Sequence, residues 1–162
     1  MLQDQPLRFR TTAWERARRT RSPSRPDFAR YLRRIARPMQ ICYQQLMQAY
    51  NGEPVGVECR MLERDAWAFV VPEMSGSEPW RIQRFDLDGF VGHGAYGTLA
   101  EAVEGMLQEG YQITDPGALD RVAASIRWAD GVRRAAIMQK HQEGLITYAQ
   151  MIEEMTSASS TL

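Results

Sequence analysis

Cysteine, histidine and lysine are scarce in this chain of 162 residues, and the first two scarcities each remove a class of function. The two cysteines, Cys42 and Cys59, have no second thiol or histidine at ligand spacing. They read as buried free thiols of a reducing compartment, not as a disulfide or a zinc site. The two histidines, His93 and His141, are far apart and fit no HExxH or HxH pattern, so neither a metal nor a cofactor is expected. No G-x-S-x-G elbow is present. The longest apolar run, Ala66 to Val71, falls far short of the about 20 residues of a bilayer-spanning helix, and no membrane association is expected. No apolar stretch follows Met1-Leu2-Gln3-Asp4, which argues against a secretory signal. Asp4 and Glu15, with no clear apolar helical face beside them, argue against an organellar transit peptide. The expected location is the cytoplasm.

Lysine is represented by Lys140 alone, against 19 arginines, a ratio for which a GC-rich genome is sufficient cause. The first 37 residues hold 11 of those arginines and three acids, Asp4, Glu15 and Asp27. From Pro38 onward nine bases face 17 acids, so a formal charge of zero conceals a segment at +8 and a body at −8. Such a split hints at a basic arm with an anionic partner. With 44% hydrophobic and 25% charged residues the body has the composition of an ordinary globular domain.

Residues 1–26 show no sustained period, and Arg21-Ser22-Pro23-Ser24-Arg25-Pro26 resists packing, so they are expected to form a flexible arm. Residues 27–155 then form one domain, and 156–162 a polar, disordered tail. Phe28, Tyr31, Leu32, Ile35, Met39, Cys42, Tyr43, Leu46, Met47 and Tyr50 recur at helical steps, with Pro38 marking a kink or a second helix start. Asn51-Gly52 and Pro54 end that helix. Period two follows over Val55 to Met61, then a β-rich run Ala66 to Val71 and a third strand Trp80 to Leu87. Asp88-Gly89 predicts a type I′ hairpin turn into a short fourth strand at Phe90 and Val91.

Thr98-Leu99-Ala100-Glu101 and Thr147-Tyr148-Ala149-Gln150 are capping boxes that open helices. Asp115-Pro116 predicts another helix start, Ala129 to Gln142 a further helix, and Tyr148 to Met155 the last. The fold class expected is α+β, an antiparallel three- to four-stranded meander packed against the long N-terminal helix and several C-terminal helices.

Two groups of residues are candidates for function. Trp14, Arg16, Arg18, Arg19, Arg21 and Arg25 in the arm, continued by Arg30, Arg33, Arg34 and Arg37 on the helix, supply guanidinium groups that bind phosphate or carboxylate oxygens and stack on aromatic faces. They suit a macromolecular partner, either a larger protein or ribonucleoprotein complex or nucleic acid directly; the alternative is an arm that folds back on the acidic body or stays solvated. Gly92-His93-Gly94-Ala95-Tyr96-Gly97 has the G-x-G-x-x-G spacing of a phosphate-cradling loop, with Asp115 placed 18 residues after Gly97. A small nucleotide-binding enzyme is the function that loop would serve; a flexible connection from strand to helix is the alternative. Asp86-x-Asp88-Gly89 resembles the head of a calcium loop, but the later ligand positions are missing, and a hairpin turn explains it better. Glu101, Glu104, Glu109, Asp115, Asp120, Glu143, Glu153 and Glu154 offer a DNA-like negative surface or an ordinary solvated one.

Arg84-Phe85-Asp86-Leu87-Asp88-Gly89-Phe90, running through His93 to Thr98-Leu99-Ala100-Glu101-Ala102-Val103, and the later Ala129-Asp130-Gly131 with Gly144-Leu145-Ile146-Thr147, carry a resemblance over residues 80–155. That segment is similar to uncharacterised accessory proteins and polyvalent modules of plasmids, integrating conjugative elements and phages. The resemblance implies a habitat in which small proteins block a host defence, of anti-CRISPR or anti-restriction type, or assist DNA transfer. The expected function is accordingly stoichiometric, non-catalytic binding to a larger partner.

Overall fold

The computed structural model describes residues 26–157. They form an α+β fold with five helices and a five-stranded antiparallel sheet among the described residues. Helix α1 spans Pro26–Ala49 as one element with Pro38 inside it. Pro38 is exposed, so the carbonyl left without its N–H partner can turn to water, and the helix continues through the proline. Asn51, at φ 54°, and Gly52, at φ 83°, end it in the left-handed region as their types predict.

Strands β1 (Cys59–Met61), β2 (Ala66–Pro72), β3 (Trp80–Asp86) and β4 (Gly89–Tyr96) make the expected meander. The period-two pattern from Val55 yields only three strand residues, and Val55 itself makes an isolated bridge to Val70. Helix α2 (Leu99–Gln108) then carries the chain across one face of the sheet to β5 (Tyr111–Thr114), which pairs with β1. The strand order is therefore β4-β3-β2-β1-β5, with β4 and β5 at the two edges. Helices α3 (Ala118–Ala123), α4 (Ile126–Gln142) and α5 (Tyr148–Ser157) complete the described chain.

Alternation along β2 divides the core into two layers. Ala66, Ala68 and Val70, with Cys59 and Ile82, are small to medium side chains on one face, and α1 and α2 close over them through Met39, Tyr43, Leu46, Met47, Val103, Met106 and Leu107. Trp67 and Phe85 lie on the opposite face with Ala118, Val122 and Trp128 of α3 and α4. Trp67 stacks on Phe85 at 5.5 Å between ring centroids, and Trp128 meets Phe85 and Phe90 edge-on at 6.0 and 5.3 Å. Offset and edge-to-face contacts of this kind add to the burial of the rings. The long helix thus covers one face only, and the carboxy-terminal helices cover part of the other.

The hairpin between β3 and β4 departs from its sequence expectation. Asp86 pairs with Gly89, so the two turn residues are Leu87 and Asp88. Neither has positive φ, whereas Gly89 sits at φ 131° as the first residue of β4. A type I′ turn needs positive φ at both central residues, so the left-handed demand has moved one residue on, to the glycine. The Asp86 carboxylate accepts the Asp88 N–H at 2.8 Å, which holds the turn. The strand after it runs eight residues, well beyond Phe90 and Val91.

Candidate interaction surface

The arm candidates Trp14, Arg16, Arg18, Arg19, Arg21 and Arg25 lie outside the described residues. Arg30, Arg33, Arg34 and Arg37 fall in the first half of α1, and Arg34 is exposed. Arg34 also lines a groove of about 510 Å³ between α1 and β5, with Pro38, Ile41, Cys42, Leu62 and Ile113. Cys42, at the floor of that groove, donates its S–H to the Gln112 carbonyl at 2.9 Å. Both thiols are free and buried. Burial raises both, and Cys59, with Cys42 and Glu58 adding to the effect, is pushed up to about 12, which leaves it protonated and inert as a nucleophile.

The glycine-rich segment is not the loop its spacing suggested. Gly92, His93, Gly94 and Tyr96 all belong to β4, paired along β3, and Gly97 follows the strand before the Thr98 cap of α2. Tyr96 explains two of the nearby glycines. Its ring lies where a Cβ on Gly105 of α2 would meet it at 2.8–2.9 Å, and a Cβ on Gly94 would reach it at 3.4 Å. Glycine at these sites lets strand and helix enclose an aromatic ring instead of a pyrophosphate. Arg84 binds Glu109 through two nitrogens, with Nε to Oε2 at 2.6 Å, and burial with Glu109 raises the Tyr96 hydroxyl above its ordinary range.

His93 stands opposite Gln83 and Ala95 opposite Arg81, on the aromatic face but beyond the reach of the helices, and both are exposed. His141 contacts the Ile146 carbonyl at 3.1 Å and the Tyr148 ring. Among the described residues no group of three or more His, Cys, Asp or Glu side chains is placed to hold a metal ion, and no helix is long and apolar enough to cross a membrane.

Several acids of the candidate negative surface are engaged within the chain. Glu109 pairs with Arg84, Asp115 with Arg121 at 2.6 Å, and Glu154 with Lys140 at 3.0 Å, while buried Glu104 accepts from Gln108. No protein-family model, curated protein or solved structure matches the chain.

Two surfaces emerge that sequence pattern did not disclose. The first is the outer edge of β4. It is eight residues long and contains no proline, acid, lysine or arginine. Phe90 and Val91 are 55% and 58% exposed on it, and helix α4 meets it only at the hairpin end, with Trp128 on Phe90 and Val132 beside Gly89. Its signal was hidden because three glycines and a histidine look like a loop. The second is the α4–α5 hairpin, on which Met138, Leu145, Tyr148 and Ile152 are 49%, 69%, 65% and 43% exposed. Tyr148 and Ile152 stand four residues apart on α5, but that nothing among the described residues covers them could not be read from the sequence.

Proposed function

We propose that the protein is a non-catalytic, macromolecule-binding protein of a mobile genetic element. It acts stoichiometrically on a larger protein or protein–nucleic-acid complex and inhibits a host defence of the anti-CRISPR or anti-restriction kind. The observation that carries this reading is the free edge of β4. An edge strand offers a row of unpaired N–H and C=O groups, and folded proteins ordinarily blunt it with charge, proline or cover. Among the described residues β4 has none of these along most of its length, with only a bulge at Val91 to interrupt it. Such an edge accepts an extended segment of another protein as a further strand. The occupant is a segment from a basic surface, since residues 38–162 carry nine bases against 17 acids. Protein surfaces that hold nucleic acid are of that kind.

The test is inhibition in a purified reaction. Wild-type protein is added to a restriction endonuclease or a CRISPR effector cutting its DNA, and the ratio at which cleavage stops is read. Loss of cleavage near one inhibitor per complex is expected, with the Val91→Lys/Ala95→Lys variant inactive but equally stable. Charges at these two edge positions block strand addition without touching the core. Full activity in that variant would remove β4 from the mechanism.

A further inference from the structure

We propose that the α4–α5 hairpin joins the same hairpin of a second copy of this chain, closing a four-helix bundle at a twofold axis. The inference rests on observations separate from β4. Helix α5 has no buried residue. In α4 the buried residues Trp128 and Gly131 sit at the sheet end, and Ile137 is the one buried residue in its remaining turns. Tyr148, Met151, Ile152 and Met155 nevertheless fall at i, i+3, i+4 and i+7, the spacing of a helix face that packs on another helix. Two helices alone enclose no core; two hairpins make the smallest closed bundle.

Charge selects the second copy as the occupant. Residues 126–157 hold four bases and four acids, so the hairpin is neutral, whereas residues 38–125 hold five bases and 13 acids. The hairpin is thus the part of an acidic body at which two copies approach without net repulsion. Its charge is also split between the helices: Arg127, Arg133, Arg134 and Lys140 against Asp130 on α4, and Glu153 and Glu154 with no base on α5. Within the chain Arg133 pairs with Asp130 and Lys140 with Glu154, while Arg127 and Arg134 share the single carboxylate of Asp88 and Glu153 makes no ion pair among the described residues, which leaves one positive charge over on α4 and one negative on α5. In an isologous pair each α4 faces the partner's α5, and the surplus of one sign meets the surplus of the other.

Sedimentation equilibrium of the full chain over a concentration series tests this. A reversible dimer is expected, with Met138→Glu/Ile152→Glu weakening association by about 100-fold or more at unchanged helical content. Reversing the unpaired charge of α5 with Glu153→Arg should weaken it too, and adding Arg134→Glu should restore it. Amide exchange in the wild type guards against a variant that loses α5: protection of α5 should rise with protein concentration. A wild type that is monomeric at every soluble concentration, a dimer that survives Met138→Glu/Ile152→Glu, or α5 protection indifferent to concentration would each overturn the proposal.

Discussion

At the residue scale the firmest constraint is Gly131. A Cβ there would lie 1.8 Å from the Asp88 carbonyl oxygen, a backbone atom that cannot swing aside. α4 therefore rests directly on the β3–β4 turn, where Arg127 and Arg134 also hold Asp88. Gly131→Ala is expected to lose about 3 kcal/mol in urea unfolding, because helix and turn must separate. Gly144→Ala should cost about 1 kcal/mol: its φ of +73° disfavours a side chain, but nothing lies within 4 Å. Asp115 makes a second prediction. The Trp67 indole N–H, at 2.8 Å, and then Arg121 hold its carboxyl below the usual carboxylate range, with burial opposing them. A depressed folded value means that stability from Asp115 is complete above about pH 4 and is lost as pH falls through the lowered value. The stability gap between wild type and Asp115→Asn should accordingly be constant at neutral pH and shrink on acidification. A gap that widens in acid would contradict the assignment.

At the element scale two identical motifs have unequal weight. Thr98 Oγ1 accepts the Glu101 N–H at 3.1 Å and opens α2, whose Val103, Met106 and Leu107 are core. Thr147 Oγ1 accepts the Gln150 N–H at 3.3 Å while the Gln150 side chain accepts the Thr147 N–H at 2.9 Å, but the helix it opens buries nothing in one chain. Thr98→Ala should therefore lower global stability by about 1 kcal/mol, and Thr147→Ala should fray α5 while leaving the unfolding midpoint of the body within error; equal shifts in urea would refute the distinction. Both caps were legible in the sequence because capping is local chemistry. So were the second half of the α1 stripe, Met39 to Met47, and the strands β2 and β3, whereas the period-two stretch from Val55 overstated β1, which has three residues. β5 was not: four residues, Tyr111 to Thr114, have too little length to show a period, and they are a strand because β1 offers an edge. The helix expected at Asp115-Pro116 begins instead at Ala118, with Gly117 as its cap. Asp115 is drawn back to Trp67, and Glu58, from before β1, accepts the Gly117 and Leu119 N–H groups at 3.1 and 3.4 Å in its place. A cap supplied from 59 residues away leaves no mark in a local window.

At the scale of the whole molecule, charge and apolar surface are partitioned among regions: a basic start, an acidic sheet domain and a neutral helical hairpin. The partition distinguishes two ways of meeting a partner. Residues 1–25 carry seven arginines and two acids, so removing them takes the chain from zero to −5. A chain of that charge is repelled by a polyanion, and any affinity the full chain has for duplex DNA through those arginines must fall steeply with salt, by about one power of salt concentration for each phosphate contacted. Capture of a protein partner along β4 uses main-chain groups and apolar side chains, with the acidic body adding only a general attraction, and so depends far less steeply on salt. The expected outcome is that truncation at Pro26 abolishes salt-sensitive DNA binding in a fluorescence anisotropy titration and leaves inhibition of the nuclease complex at the same molar ratio. If truncation abolishes inhibition instead, the arm and not the sheet edge is the handle on the partner, and the acidic domain serves only to carry it.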